Sequence, residues 1–188
     1  MKAASTISVR DGHAIVKAGE FIEARFGAGT SPSLAARKTL ALLIAKAAGE
    51  AWRPGSHVIA KRDLRGTHNA NDRIQDTLDE LMDVKFQMPS TSAQGRAATL
   101  TAALLAWTLN EHAEDGRATV EWEFTAPARA ILQGSDYYAR LNRAALLAFR
   151  SKYAITLYEM GCLLAGRRSP TWFGTVDELR ERLGAPSN

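Results

Sequence analysis

Cysteine is almost missing from this chain. Cys162 stands alone, which excludes an internal disulfide framework. It lies in an apolar helical pattern between Met160 and Leu163, and there it reads as a small buried hydrophobe. Histidine is scarce as well. His13, His57, His68 and His112 form no His-x3-His pair, and no Cys-x2-Cys accompanies them, so a structural zinc site has no ligand set. No phosphate-cradling Gly-x4-Gly-Lys-Ser/Thr, no Gly-x-Gly-x-x-Gly and no Gly-x-Ser-x-Gly occurs. No enzyme, cofactor or metal is expected on these grounds. An enzyme with an unfamiliar site would need a pocket lined by His57, His68 or His112 with carboxylates. Apolar runs stay below the roughly 18 residues a membrane span requires, and the start, Met-Lys-Ala-Ala-Ser-Thr-Ile-Ser, lacks a signal peptide's apolar core. A cytoplasmic protein without membrane contact is the expectation.

What remains is ordinary globular material. The chain has 188 residues, 46% hydrophobic and 23% charged, which suits one ample domain or one domain and part of another. The net charge of +4 is unevenly placed. Arg140, Arg143, Arg150, Lys152, Arg167, Arg168, Arg180 and Arg182 face only Glu159, Asp177, Glu178 and Glu181 in the last stretch, so that stretch carries the whole excess. A basic segment on a neutral body is a footprint of phosphate contact, although solubility alone also explains surface arginine.

Periodicity supplies the elements. Ala14–Glu23 reads as a short strand and a helical turn, and Gly27–Gly29 as a break. Ser31-Pro32 looks like an N-cap with proline in the first turn, and Leu40, Leu43, Ile44 and Ala47 predict a helix over 33–48 that ends at Gly49. After the apolar stretch His57–Ala60, Lys61–Gly66 is a short helix or turn. Asn69 or Asn71 caps a third helix with Ile74, Leu78, Leu81 and Met82 on one face, ending before Pro89. Residues 97–110 admit helix or strand; the alternation of Val120, Trp122 and Phe124 after Asp115-Gly116 favours an antiparallel hairpin over 97–124. Ala128–Leu132 is a helical turn, and Tyr137–Ala148 includes a helix. Thr175, with Glu178 three residues on, forms a capping box before the last helix.

Lys38 to Arg65 and Lys152 to Arg180 echo each other: a long apolar helix, a short connection, then an acidic-Leu-Arg helix. Such an order opens a winged helix. In the first copy the third helix carries Asp72, Asp76, Asp79, Glu80 and Asp83 against Arg73 and Lys85. Phosphates would repel it, so packing against a second copy of the chain is its expected use. Val120, Trp122 and Phe124 on the hairpin are the expected dimer contact. Phosphate contacts are assigned to Lys61, Arg62, Arg65 and Arg73 beside the first helix-turn-helix, and to Arg150, Lys152, Arg167 and Arg168 beside the second.

The stretch Ser151-Lys-Tyr-Ala-Ile-Thr-Leu-Tyr158-Glu159, followed by Glu178-Leu179-Arg180 and Leu183-Gly184, resembles the opening of the second winged helix in Rep_3-type plasmid replication initiators, the iteron-binding double winged-helix family. The upstream order of helix, strand, Asp63-Leu64-Arg65-Gly66, third helix and hairpin is similar too. The resemblance implies an α+β fold: a winged helix over 1–145 for dimerisation and backbone contact, then 146–188 as the start of a second, stopping before its recognition helix. It also implies plasmid replication initiation at repeats in double-stranded origin DNA, a homodimer, and host replication proteins such as a helicase as partners. A winged-helix transcriptional regulator or a partition-type DNA-binding protein is the alternative.

Overall fold

The computed structural model describes residues 13–26, 31–50, 52–64, 72–112 and 117–185. At its centre lies helix α2 (Leu34–Gly49). Ser33 rather than Ser31 is its N-cap, with Oγ accepting from the Ala36 N–H at 3.1 Å, and Pro32 stands just outside the helix. The helix is buried on most of its circumference, with Leu40, Leu42, Leu43, Ile44 and Ala47 at 3% exposure or less. Its long apolar run therefore marks a core helix rather than a one-faced surface helix.

Strand β3 (His57–Ala60), the one-turn α3 (Lys61–Leu64) and α4 (Asp72–Asp83) follow. α4 packs Ile74, Leu78 and Leu81 inward. Strands β6 (Leu105–Asn110) and β7 (Thr119–Phe124) form the expected hairpin, and β3 closes it into a sheet of order β3-β7-β6. Three helices followed by a hairpin, with the strand between the first two helices paired to the hairpin, make a winged helix. Val120, Trp122 and Phe124 alternate inward along β7 and are fully buried, Trp122 and Phe124 in edge-to-face contact at 6.5 Å. A buried aliphatic or aromatic side chain contributes about 1.5–3 kcal/mol, so this strand and α2 dominate the core.

Several elements differ from expectation. The run 97–110 is two strands, not one: β5 (Ala97–Ala103) pairs with a strand that sequence reading missed, β4 (Lys85–Thr91), and the chain bends at the fully buried Leu104 before β6. Short β2 (Arg25–Phe26) adds to β4 only at Gln87 and Phe86. Pro89 thus sits in a strand, past the residues that β2 covers, where one side is open and a missing N–H is tolerated. Tyr137–Ala148 contains β8 (Tyr138–Asn142) before helix α6 (Arg143–Ala148). β8 pairs antiparallel with β1 (Ala14–Ala18), which runs into α1 (Gly19–Glu23) as expected. The turn at 128–132 is helix α5 (Ala126–Gly134). The expected break at 27–29, the caps Asn69 and Asn71, and the hairpin turn Asp115-Gly116 lie outside the described residues.

Helix α7 (Lys152–Ala165) packs onto α1, α2 and β8, burying Ile155, Met160 and Leu163. Helix α8 (Val176–Leu183) has the expected capping box at Thr175 and Glu178 and ends on the left-handed Gly184 (φ 67°). It buries no residue.

Candidate nucleic-acid interface

In a helix-turn-helix the second helix enters the major groove, and α4 holds that place here. Its inner face is spent on Ile74, Thr77, Leu78 and Leu81. Its solvent face presents Arg73, Asp76, Asp79 and Asp83. Glu80 turns back to the start of α2, where its carboxylate accepts from the Ser33 N–H at 2.5 Å and Oγ–H at 2.7 Å, an anion on a helix N-terminus. The exposed remainder is net acidic, and duplex phosphates are repelled along this helix.

The cations chosen from sequence separate into free and committed groups. Lys61 is 3% exposed; its Nζ donates to the Glu111 carbonyl and fastens α3 to the end of β6. A buried ammonium cannot reach a phosphate, so its assignment as a DNA contact is corrected. Arg62 is exposed, with Asp63 at 3.9 Å, and Arg73 is exposed. Arg65 lies outside the described residues. Arg167 pairs with Glu23 at 3.0 Å and stacks over the Tyr137 ring at 5.1 Å, which makes it chiefly a structural cation. Lys152 is half-buried, its Nζ 5.3 Å from the Tyr153 ring centre. Arg150 and Arg168 are exposed and carry no ion pair among the described residues.

Two further free cations join them. Arg140 is exposed on β8, and Arg143 opens α6 with its backbone N–H on the His13 carbonyl. The Tyr158 hydroxyl on α7 accepts from the Asn142 N–H at 2.9 Å, tying α7 to the end of β8. Arg140, Arg143, Arg150 and Lys152 therefore rise from one continuous β8–α6–α7 path. The charge count along the sequence already contained Arg140 and Arg143; the helical reading of 137–148 hid that Arg140 lies on a strand.

The expected dimer residues Val120, Trp122 and Phe124 are 0%, 0% and 2% exposed inside this protomer's own core, so that assignment is corrected. The period-2 pattern gave the right strand, and its apolar face turns inward. On the outer face of the same sheet Val58, Glu121 and Leu109 stand in register, and Val58, Trp107 and Leu109 are 40%, 37% and 58% exposed. These apolar side chains stand open on either side of Glu121 and Glu123.

The remaining titratable groups serve structure. His57 is sealed in the core between the Glu50 carboxylate and the Trp122 ring, 5.4 Å away. Burial raises the Glu50 pKa, but hydrogen bonds from His57 and Lys46 and the charges of Lys46 and Arg53 outweigh it and hold the carboxyl below its usual range. Burial lowers the Arg37 guanidinium, against the pull of Glu159 and Glu80. His112 is exposed and His68 lies outside the described residues. Among the described residues no group of three His, Cys, Asp or Glu is placed to hold a metal ion, and no helix is long and apolar enough to cross a membrane.

No match is found among curated proteins. The model of the family described as "Initiator Replication protein, WH1" matches residues 14–162, from the first strand to the last turn of α7. That span covers most of the chain and the whole winged helix described above, and the chain belongs to the initiator replication protein family, as a plasmid replication initiator of the Rep_3 type.

Proposed function

We propose that this protein binds repeated sites in double-stranded origin DNA and does so as a scaffold rather than a catalyst. The observation that carries the reading is the division of charge: an acidic solvent face on α4, and cations without an ion pair among the described residues at Arg140, Arg143 and Arg150 along β8–α6–α7 and at Arg168 beyond the far end of α7. The winged helix then touches backbone from its β8–α6–α7 edge and leaves base reading to other elements. Fluorescence anisotropy with a duplex of direct repeats, titrated from low to high salt, tests this. Each phosphate contact adds a slope of about −0.9 to log K against log salt. Arg140→Gln and Arg150→Gln each lower the slope by about 1, equally on scrambled duplex. Variants that leave the slope unchanged refute the edge assignment.

The same domain dimerises, on this reading, through the outer face of the sheet. Val58, Trp107 and Leu109 are exposed apolar side chains flanking Glu121 and Glu123 of the central strand, and their two-fold self-pairing matches the isologous interfaces of most homodimers. Light scattering at micromolar concentration tests it: Leu109→Lys gives a monomer with unchanged secondary structure. A monomeric parent protein refutes it. Host replication proteins such as a helicase are the further partners this reading expects.

A further inference from the structure

The N-terminal segment 14–26 meets the last two helices through ion pairs that alternate in sign along both partners. Lys17 pairs with Glu159 of α7, Glu23 with Arg167 just beyond it, and Arg25 with Glu181 of α8. They are not equivalent. Lys17 Nζ donates to both Glu159 oxygens at 2.7 and 2.8 Å, and the two side chains are 7% and 2% exposed. The middle pair, 3.0 Å long, is 38% exposed on each side. The outer pair, 3.1 Å long, is 75% and 56% exposed. Apolar cover falls in the same order. α7 buries Ile155, Met160 and Leu163, whereas α8 buries nothing and rests on the half-buried Leu179 and on Gly184, whose backbone lies so close to Ser31 that a Cβ there would meet Oγ at 2.4 Å.

Between the two helices, residues 166–175 form no helix or strand and are exposed apart from Trp172. Beneath α8 a groove of about 1070 Å³ separates it from β2, Arg37 and Gln87. The family match ends inside α7, at residue 162.

We infer that α7 is a fixed part of the winged-helix body and that α8 is a salt-releasable arm, swinging on residues 166–175 and docked by the Arg25–Glu181 pair. A buried, doubly hydrogen-bonded pair is barely screened by salt, whereas an exposed pair loses its attraction as the Debye length falls from about 10 Å at 0.1 M to about 3 Å at 1 M. Release opens the groove and detaches Arg180 and Arg182 from the body. The seam thus sets how the basic end of the chain stands relative to the winged helix.

The test is a pair of spin-label distances in a Cys162→Ser background. One label sits at Thr101→Cys on β5; the second is placed at Leu157→Cys on α7 or at Arg182→Cys on α8, all exposed positions. From 0.1 to 1 M salt the α7 distance stays single and constant, while the α8 distance broadens and lengthens. Glu181→Arg produces the same broadening at low salt, with the docked-to-open ratio falling about two- to fivefold, the range of an exposed ion pair. The double variant Arg25→Glu/Glu181→Arg restores the docked distance. An α8 distance that ignores both salt and Glu181→Arg overturns the proposal, and so does an α7 distance that moves with it. Both Arg25 and Glu181 are solvent-exposed, so neither change threatens the fold.

Discussion

Replacing Lys17 by Met, or Glu159 by Leu, tests the most buried ion pair among the described residues. The pair joins β1 to α7 across the whole chain, with both side chains almost out of water. Removing one partner leaves a buried, uncompensated charge, which costs about 3–5 kcal/mol. For a chain of this length each kcal/mol lowers the melting temperature by about 2–4 °C, so either single variant melts roughly 6–20 °C below the parent. The double variant Lys17→Met/Glu159→Leu behaves differently. It removes both desolvation penalties and fills the space with methylene and methyl groups, so its stability returns to within about 1–2 kcal/mol of the parent. Denaturant titration of the four proteins completes a double-mutant cycle; single losses of about 3–5 kcal/mol each and a double loss of about 1–2 kcal/mol imply a coupling energy of roughly 4–9 kcal/mol. Arg37 lies near enough to feel Glu159, so the Glu159 single variant is the costlier of the two. Additive losses in the double variant would refute the reasoning, because they would mean that each side chain is held by something other than its partner.

Three further outcomes follow from the same structure. Trp122→Ala empties the middle of the β3-β7-β6 sheet and costs about 3–5 kcal/mol in denaturant titration, whereas Trp107→Ala on the opposite face, 37% exposed, costs under about 1 kcal/mol and changes the oligomeric mass instead. Glu50→Gln is destabilising at neutral pH and matches the parent in acid. Because the folded carboxyl is held below its unfolded value near 4.3, its contribution is present above that value and disappears as the pH falls through the folded pKa; a stability difference that does not shrink as the pH is lowered below the unfolded value would contradict this. Thr175→Ala removes the half of the capping box in which Oγ accepts from the Glu178 N–H, leaves the Thr175 N–H on the Glu178 carboxylate, and weakens α8 by about 1 kcal/mol. Hydrogen exchange then accelerates in Val176–Leu183 while α7 amides keep their protection.

Most of the winged helix was legible in the sequence because its elements carry redundant signals. α2 shows an apolar period too long for a turn, and β7 shows strict alternation. α8 has a cap whose two hydrogen bonds need only local residues. The elements that escaped are those whose partner lies far away. β4 was hidden because Pro89 reads as a terminator until one sees that β2 covers only Phe86 and Gln87. β8 is five residues long, and its partner β1 lies more than a hundred residues earlier, so nothing local separates Tyr138–Asn142 from the helix that follows. The bend at Leu104 depends on a buried position that both sheets share, which one strand's pattern cannot reveal.

The same distinction explains why the site assignments fared unevenly. Alternation tells which residues of β7 share a face, and not whether that face meets this protomer or another. Trp122 settles the matter by volume: a ring fully out of water is committed to its own core, and only the flanking rows remain for a second copy. Charge works in the opposite direction. The count of arginines near the end of the chain is a sequence property, but whether an arginine is available depends on which carboxylates the fold brings to it. Arg167 and Arg168 are neighbours of identical chemistry; Glu23 neutralises the first and leaves the second free. An interface for phosphate is therefore defined less by where cations are dense than by where the fold has run out of acids to pair with them. On the proposed reading the exposed Arg168 contacts phosphate, and an Arg168→Gln variant separates the two ideas: it lowers the salt slope of DNA binding, whereas Arg167→Gln loosens the Glu23 contact and leaves the slope nearly unchanged.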